Sequence, residues 1–223
     1  MRCHLLFLDF DGVVVDSMGA KTEAFVTAME PFGFDSQRVG ALYRTLAGVG
    51  RRMIFDLVYN LLSGRTTDEG ARAEVAERFA ALEQDTTEEI RLFDGVGGFL
   101  KRQTCQRPLV LVTGTPAELI DDLLTGLEID SCFDATYSTS GGNPKDALMT
   151  AELGARGLNR RDALFVGDSH ADMSAAARVP LRFAAIGDTA FFSKGDPHLV
   201  LPSLVDLEPH LDPAEPARER RGA

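Results

Sequence analysis

Residues 5–17 read LLFLDFDGVVVDS. Four apolar residues, Leu5, Leu6, Phe7 and Leu8, run directly into Asp9-Phe10-Asp11-Gly12. A short apolar run bounded by turn residues is the pattern of a strand buried on both faces. Residues two apart in an extended chain share a face, so Asp9 and Asp11 can aim at one point while Phe10 turns into the protein and Gly12 lets the backbone turn tightly. Two carboxylates that close repel each other unless a hard cation lies between them, and oxygen-only ligands suit Mg²⁺. The plainer reading, that the two acids serve a turn, stays open on this stretch alone.

Similar runs recur at residues 109–113, 163–166 and 181–186, each followed by Gly, Pro, Ser or Asp. Between them lie helix-length segments at 117–127, 146–153 and 171–178. Alternating buried strands and helices imply an α/β core, a doubly wound parallel sheet. One long interval breaks the rhythm. Residues 17–92 hold no convincing strand but carry helical patterns at 20–29, 41–46, 53–62 and 71–82, so an α-helical module is expected to be inserted there. The expected division is a core of residues 1–15 and 94–208, a helical cap of residues 16–93, and a disordered tail of residues 209–223, whose end is rich in Pro and charge.

In an open α/β sheet ligands bind beyond the carboxyl ends of the strands, so the residues leaving each strand carry the chemistry. The run LVLVTGTPAEL ends in Thr113-Gly114-Thr115-Pro116 and opens a helix, offering a hydroxyl and free N–H groups suited to phosphate, or simply to capping. In GGNPK, Lys145 follows a glycine loop into a helix, where it is either a cation for phosphate oxygens or a surface lysine. ALFVGDSHADM sends Asp168 off a strand with Asp172 four residues on, a spacing that keeps both on one side. His170 between them has no partner at a defined spacing and receives no role.

Taken in order, DxDGVxxDS, a strand-ending Thr, a Lys after a loop, and GDSxxD resemble the haloacid dehalogenase superfamily across residues 5–186. The resemblance implies a Rossmann-like core with a helical cap of the phosphoglycolate phosphatase-like and β-phosphoglucomutase-like branch. It further implies Asp9 as nucleophile forming an aspartyl-phosphate and Asp11 as general acid and base. Mg²⁺ would be held by Asp9, the Asp11 backbone carbonyl, Asp168 and Asp172, and the phosphate by Thr113, Gly114 and Lys145. Halide-removing members lack the second acid, which this chain has in Asp11. The cap loop LAGVGRRMIFD lacks the lysine of phosphonate-cleaving members. Where sugar phosphomutases carry a cap histidine this chain has Lys21, which makes a phosphatase the first expectation and a mutase the second. Lys21, Arg51 and Arg52 are expected either to meet the substrate's far end or to be surface charge.

With a net charge of -11 and no basic stripe, the chain is set against nucleic acid, and any anion site must be built locally. Cys3, Cys105 and Cys132 are scattered without a CxxC, which points away from disulfides and zinc. The apolar run before Asp9 is too short for a signal peptide or a span, so a cytoplasmic location is expected. The expected partner is a small phosphorylated metabolite, with no membrane, on a monomer or homodimer.

Overall fold

The computed structural model describes residues 1–46, 51–85, 89–188, 192 and 197–212. Six parallel strands form the main sheet in the order β5-β4-β1-β6-β7-β8. These are β1 (Leu5–Leu8), β4 (Leu109–Thr113), β5 (Ala135–Ser138), β6 (Ala163–Gly167), β7 (Arg182–Ile186) and β8 (Leu199–Leu201). Every residue of β1, β4 and β6 is buried, as the unbroken apolar runs require.

Alternation along β1 divides the interior in two. Leu6 and Leu8 pack with Val96, Phe99 and Leu100 of α5 (Val96–Thr104) and with Ile120, Leu123 and Leu124 of α6 (Ala117–Gly126). Leu5 and Phe7 pack instead with Met149 and Leu153 of α7 (Lys145–Arg156) and with Ala175 and Ala176 of α8 (His170–Arg178). Helices thus cover both faces, and full burial of each such Leu or Phe contributes on the order of 1.5–3 kcal/mol.

The chain departs from this sheet through β2 (Val15–Asp16) and returns through β3 (Arg91–Leu92), which pair antiparallel, with the Phe93 N–H donating to Val14 O at 3.2 Å. Between them stand α1 (Met18–Met29), α2 (Ser36–Thr45), α3 (Arg51–Ser63) and α4 (Glu69–Asp85), which share an apolar interior of their own around Phe25, Tyr43, Phe55, Val58 and Phe79. Phe25 stacks on Tyr43 at 4.6 Å and meets Phe79 edge-on at 5.6 Å.

Residues 209–212, expected to belong to a disordered tail, are held against the core. Leu211 is buried, the Met1 amino group donates to His210 O and Asp212 Oδ1 at 2.7 Å each, and buried Arg107 donates to Cys3 O and Asp212 O. A guanidinium taken out of water must find acceptors, and the backbone at both ends of the described chain supplies one to each of its terminal nitrogens. Residues 213–223 lie outside the described residues. Among those described, no helix is long and apolar enough to cross a membrane.

Candidate active site

The sheet order places β1 between β4 and β6, so the carboxyl ends of these strands open on one crevice. Asp9 follows β1, Thr113 ends β4, Asp168 follows β6, and Lys145 begins the helix reached from β5. The backbone anchors this rim, with the Asp9 N–H donating to Val166 O at 2.9 Å and the amides of Val14 and Val15 returning to Phe10 O. Buried Phe10 is the pivot of that turn, with an acid on either side of it.

Asp9 and Asp11 face different surroundings. Asp9 Oδ1 accepts from the Phe10 N–H at 2.8 Å and pairs with Lys145 Nζ at 2.8 Å. The same ammonium lies 2.7 Å from Asp172 Oδ1, while the Ser169 hydroxyl donates to Asp172 Oδ2 at 2.5 Å and accepts from the Asp172 N–H. Asp9, Asp168 and Asp172 bring oxygens within 4.8 Å of one another.

Charge is unevenly balanced across this group. Burial, opposed by Lys145 and reinforced by Asp172 and Asp11, pushes Asp9 up to about 7. Burial and the neighbouring Asp9 and Asp172 push Asp168 up to about 8. Burial alone would lower Lys145, but the carboxylates of Asp172 and Asp9 outweigh it and raise the ammonium above the ordinary lysine value. Three converging carboxylates with one lysine form a cluster short of positive charge, and their oxygen-only donor set fits a small hard dication such as Mg²⁺.

Asp11 has its own cation. Lys21 Nζ, on α1, lies 2.6 Å from Asp11 Oδ2, the Thr115 hydroxyl donates to the same oxygen at 2.9 Å, and the Ser17 hydroxyl donates to Asp11 Oδ1 at 2.6 Å. Burial alone would raise Asp11, yet the Lys21 charge together with the hydrogen bonds from Lys21, Ser17 and Thr115 holds it below the ordinary carboxylate range. Lys21 itself is only 6% exposed, donates to Thr115 Oγ1 at 3.1 Å, and has Glu83 Oε1 of α4 at 3.4 Å.

The residues expected from sequence meet different outcomes. Asp9, Asp11, Lys145, Asp168 and Asp172 come together. Thr113 is buried at the same rim, its Oγ1 accepting from the Thr115 N–H at 3.0 Å, and Gly114 beside it is exposed. Lys21, expected to meet either substrate or solvent, is instead engaged with Asp11, because its place on the buried side of α1 points it into the core acid. Arg51 and Arg52 open α3, but their side chains lie outside the described residues, as does the loop at 47–50. His170 starts α8 with its ring edge-on to Phe192 at 5.4 Å.

Sequence reasoning missed four contributors. Ser17 stands where a helix cap belongs, yet caps nothing and donates to Asp11. Ser169 does cap α8 and braces Asp172 as well. Thr115 was legible only as part of a turn. Glu83 had a signal in the sequence, since it falls four residues after Phe79 and eight after Val75, on the apolar stripe of α4 where an acid is out of place.

A doubly wound sheet with acids at the exits of β1 and β6, a threonine ending β4 and a lysine opening α7 defines a class of α/β phosphohydrolase. The family model for haloacid dehalogenase-like hydrolases matches residues 6–186, and the chain belongs to that family. It is 28% identical over 230 residues to phosphoglycolate phosphatase 1 of Pseudomonas aeruginosa, covering 95% of this chain and 80% of that protein. It is 26% identical over 208 residues to the 6-phosphogluconate phosphatase of Escherichia coli, covering 88% and 85%. Among solved structures, a haloacid dehalogenase-like family hydrolase from Streptococcus pneumoniae superposes with a TM-score of 0.78 at 21% identity, covering 94% of this chain and 98% of that one. The chain is a phosphoric monoester hydrolase of this family.

Proposed function

We propose that the chain is a Mg²⁺-dependent phosphatase of a small phosphomonoester, of the sugar phosphate or phosphoglycolate type, working through an aspartyl-phosphate on Asp9. The observation that carries this reading is the separation of the two acids: Asp9 shares Lys145 with Asp172 and converges with Asp168, while Asp11, two residues on, is held apart by Lys21, Ser17 and Thr115. Acids kept in distinct environments can take distinct roles in one reaction.

Asp9 Oδ1 is occupied by the Phe10 N–H and Lys145, which leaves Oδ2 as the attacking oxygen. As the Asp9 oxygen–phosphorus bond forms, the bond to the leaving oxygen breaks and Asp11 gives that oxygen its proton. In the second half, Asp11 as carboxylate takes a proton from water, which attacks phosphorus and restores Asp9. The Lys21-paired arrangement corresponds to this ionised state of Asp11. Lys145, the Thr113 hydroxyl and the backbone N–H of Gly114 hold the phosphoryl oxygens and so fix the line of attack. Mg²⁺ held by Asp9, the Asp11 carbonyl, Asp168 and Asp172 would supply positive charge to the phosphoryl oxygens and relieve repulsion among the acids.

The helices α1–α4 act as the cap that closes over the substrate and excludes water. The names of the relatives support the substrate class, since phosphoglycolate and 6-phosphogluconate are both small hydroxylated or carboxylated phosphomonoesters. A phosphate-release screen across sugar phosphates, phosphoglycolate, polyol phosphates and nucleotides, with and without Mg²⁺, tests the reading. Release of phosphate only with the metal, and its loss in Asp9→Asn, is expected. Turnover surviving in Asp9→Asn refutes the nucleophile, and isomerised sugar phosphate with little free phosphate refutes hydrolysis.

A further inference from the structure

Glu83 is 1% exposed, sits on α4 rather than in the sheet, and has the Lys21 ammonium at 3.4 Å. The crossing of two helices produces this arrangement. Phe25 of α1 meets Phe79 of α4 edge-on, and one turn from that contact on each helix Lys21 meets Glu83. The four positions form one antiparallel seam, half aromatic and half ionic. A buried ion pair is weak grounds for stability, because removing both charges from water costs about as much as their attraction returns. An apolar pair at positions 21 and 83 would continue the Phe25–Phe79 packing at lower cost. The Lys21 ammonium also reaches past the seam to Asp11 Oδ2 at 2.6 Å, closer than the 3.4 Å to Glu83.

We propose that Glu83 is a positioning residue for proton transfer at Asp11, acting through Lys21. The helical layer then carries part of the catalytic geometry. Glu83 holds the ammonium from behind, so that Lys21 and the hydroxyls of Ser17 and Thr115 together fix the Asp11 carboxyl toward the leaving oxygen. The pairing shown is that of the ionised carboxylate; once Asp11 carries a proton, the same neighbours hold its carboxyl for the first half-reaction, in which the Asp9 oxygen–phosphorus bond forms, the phosphorus–leaving-oxygen bond breaks, and the Asp11 proton passes to the departing oxygen. This inference rests on the assignment of Asp11 as proton carrier.

Leaving-group dependence tests it, because a nitrophenolate departs without a proton and an alkoxide does not. The values of kcat/KM are compared for p-nitrophenyl phosphate and for the alkyl phosphomonoester turned over fastest in the screen. Asp11→Asn is expected to lower the alkyl value by about 10²-fold or more, the usual contribution of general acid catalysis, and to spare the aryl value. Glu83→Gln is expected to show the same selectivity at about tenfold, and Glu83→Asp, which keeps the charge one methylene further back, a smaller selective loss. Lys21→Met with Glu83→Gln should lose no more than Lys21→Met alone. Equal losses on both substrates in the Glu83 variants, or additive losses in the double variant, overturn the inference while a selective Asp11→Asn leaves the proton-carrier reading standing. An unselective Asp11→Asn overturns both. Should Glu83→Gln not fold, Glu83→Asp decides the matter by the same ratio.

Discussion

Replacing Gly12 by alanine tests whether the turn after Asp11 exists to let Asp168 approach. Gly12 has φ of +74°, and a Cβ built there would lie 2.0 Å from Asp168 Oδ2 and 2.6 Å from its Cγ. Real Cβ contacts stay beyond 3.0 Å, so the Asp168 carboxylate must retreat by about 1 Å. Two separate penalties follow. Left-handed backbone costs an alanine roughly 1–2 kcal/mol, which for a chain of this size lowers Tm by about 2–8 °C. Displacing a reacting group by about 1 Å costs about 10²-fold in rate. Gly33 supplies the control, since its φ is +67° and nothing lies within 4 Å of its added Cβ. Gly33→Ala should therefore lose stability alone. Gly12→Ala should lose at least as much stability, about 10²-fold in phosphate release, and affinity for Mg²⁺ measured by calorimetry. If Gly12→Ala keeps turnover and Mg²⁺ affinity within about threefold of the parent while its Tm falls only as far as that of Gly33→Ala, the crowding of Asp168 has no functional meaning.

Two other perturbations follow from the same charges and contacts. Asp9 and Asp168, raised to about 7 and about 8, hold protons in the folded metal-free protein that the unfolded chain releases near its ordinary carboxylate pKa. Their contribution to stability is thus full below that ordinary value and is lost as pH rises through about 7 to 8, while Mg²⁺ affinity rises by up to about tenfold per pH unit for each proton displaced. Calorimetry at several pH values in buffers of different ionisation enthalpy checks this, and a pH-independent affinity without proton release contradicts it. Arg107→Met, which takes the buried donors from Cys3 O and Asp212 O, should lower the urea midpoint by the equivalent of about 1–3 kcal/mol and leave KM for the substrate unchanged.

The fold was legible where burial on both faces wrote it into the residues. The apolar runs of β1, β4 and β6, that of β7 broken only by Arg182, and the helices between them carry a doubly wound sheet almost by themselves. The edges were not. β5 reads ATYS and is only half-buried, β8 has three residues, and β2 and β3 have two each, so none shows a decisive hydrophobic pattern. Asp94, Gly95 and Gly97 read as loop, yet α5 begins at Val96, and Val96, Phe99, Leu100 and Gln103 set one buried helical face. The candidate site divides the same way. Asp9, Asp11, Lys145, Asp168 and Asp172 could be found because each leaves a strand or opens a helix. Lys21 and Glu83 could not be joined from sequence, since only the tertiary crossing of α1 with α4 brings residues 62 apart to one acid.

That crossing changes what the acidic composition means. Among the described residues, Lys145 pairs with Asp9 and Asp172, with Asp168 close by, and Lys21 pairs with Asp11 and lies beside Glu83. The two lysines are not shared evenly. Lys145 serves the cluster that converges on Asp9, whose remaining excess of negative charge calls for a dication, whereas Lys21 is enclosed by Asp11 and Glu83. On the proposed Mg²⁺ assignment, a phosphate dianion approaching without metal would meet an uncompensated acid cluster, and its affinity is expected to depend on the cation being in place first. A substrate carboxylate or hydroxyl at the far end, by contrast, finds Lys21 already engaged. On the proposed role of Asp11, recognition of that end comes from elsewhere on the helical layer, and a variant that frees Lys21 from Glu83 is expected to change proton transfer before it changes substrate choice.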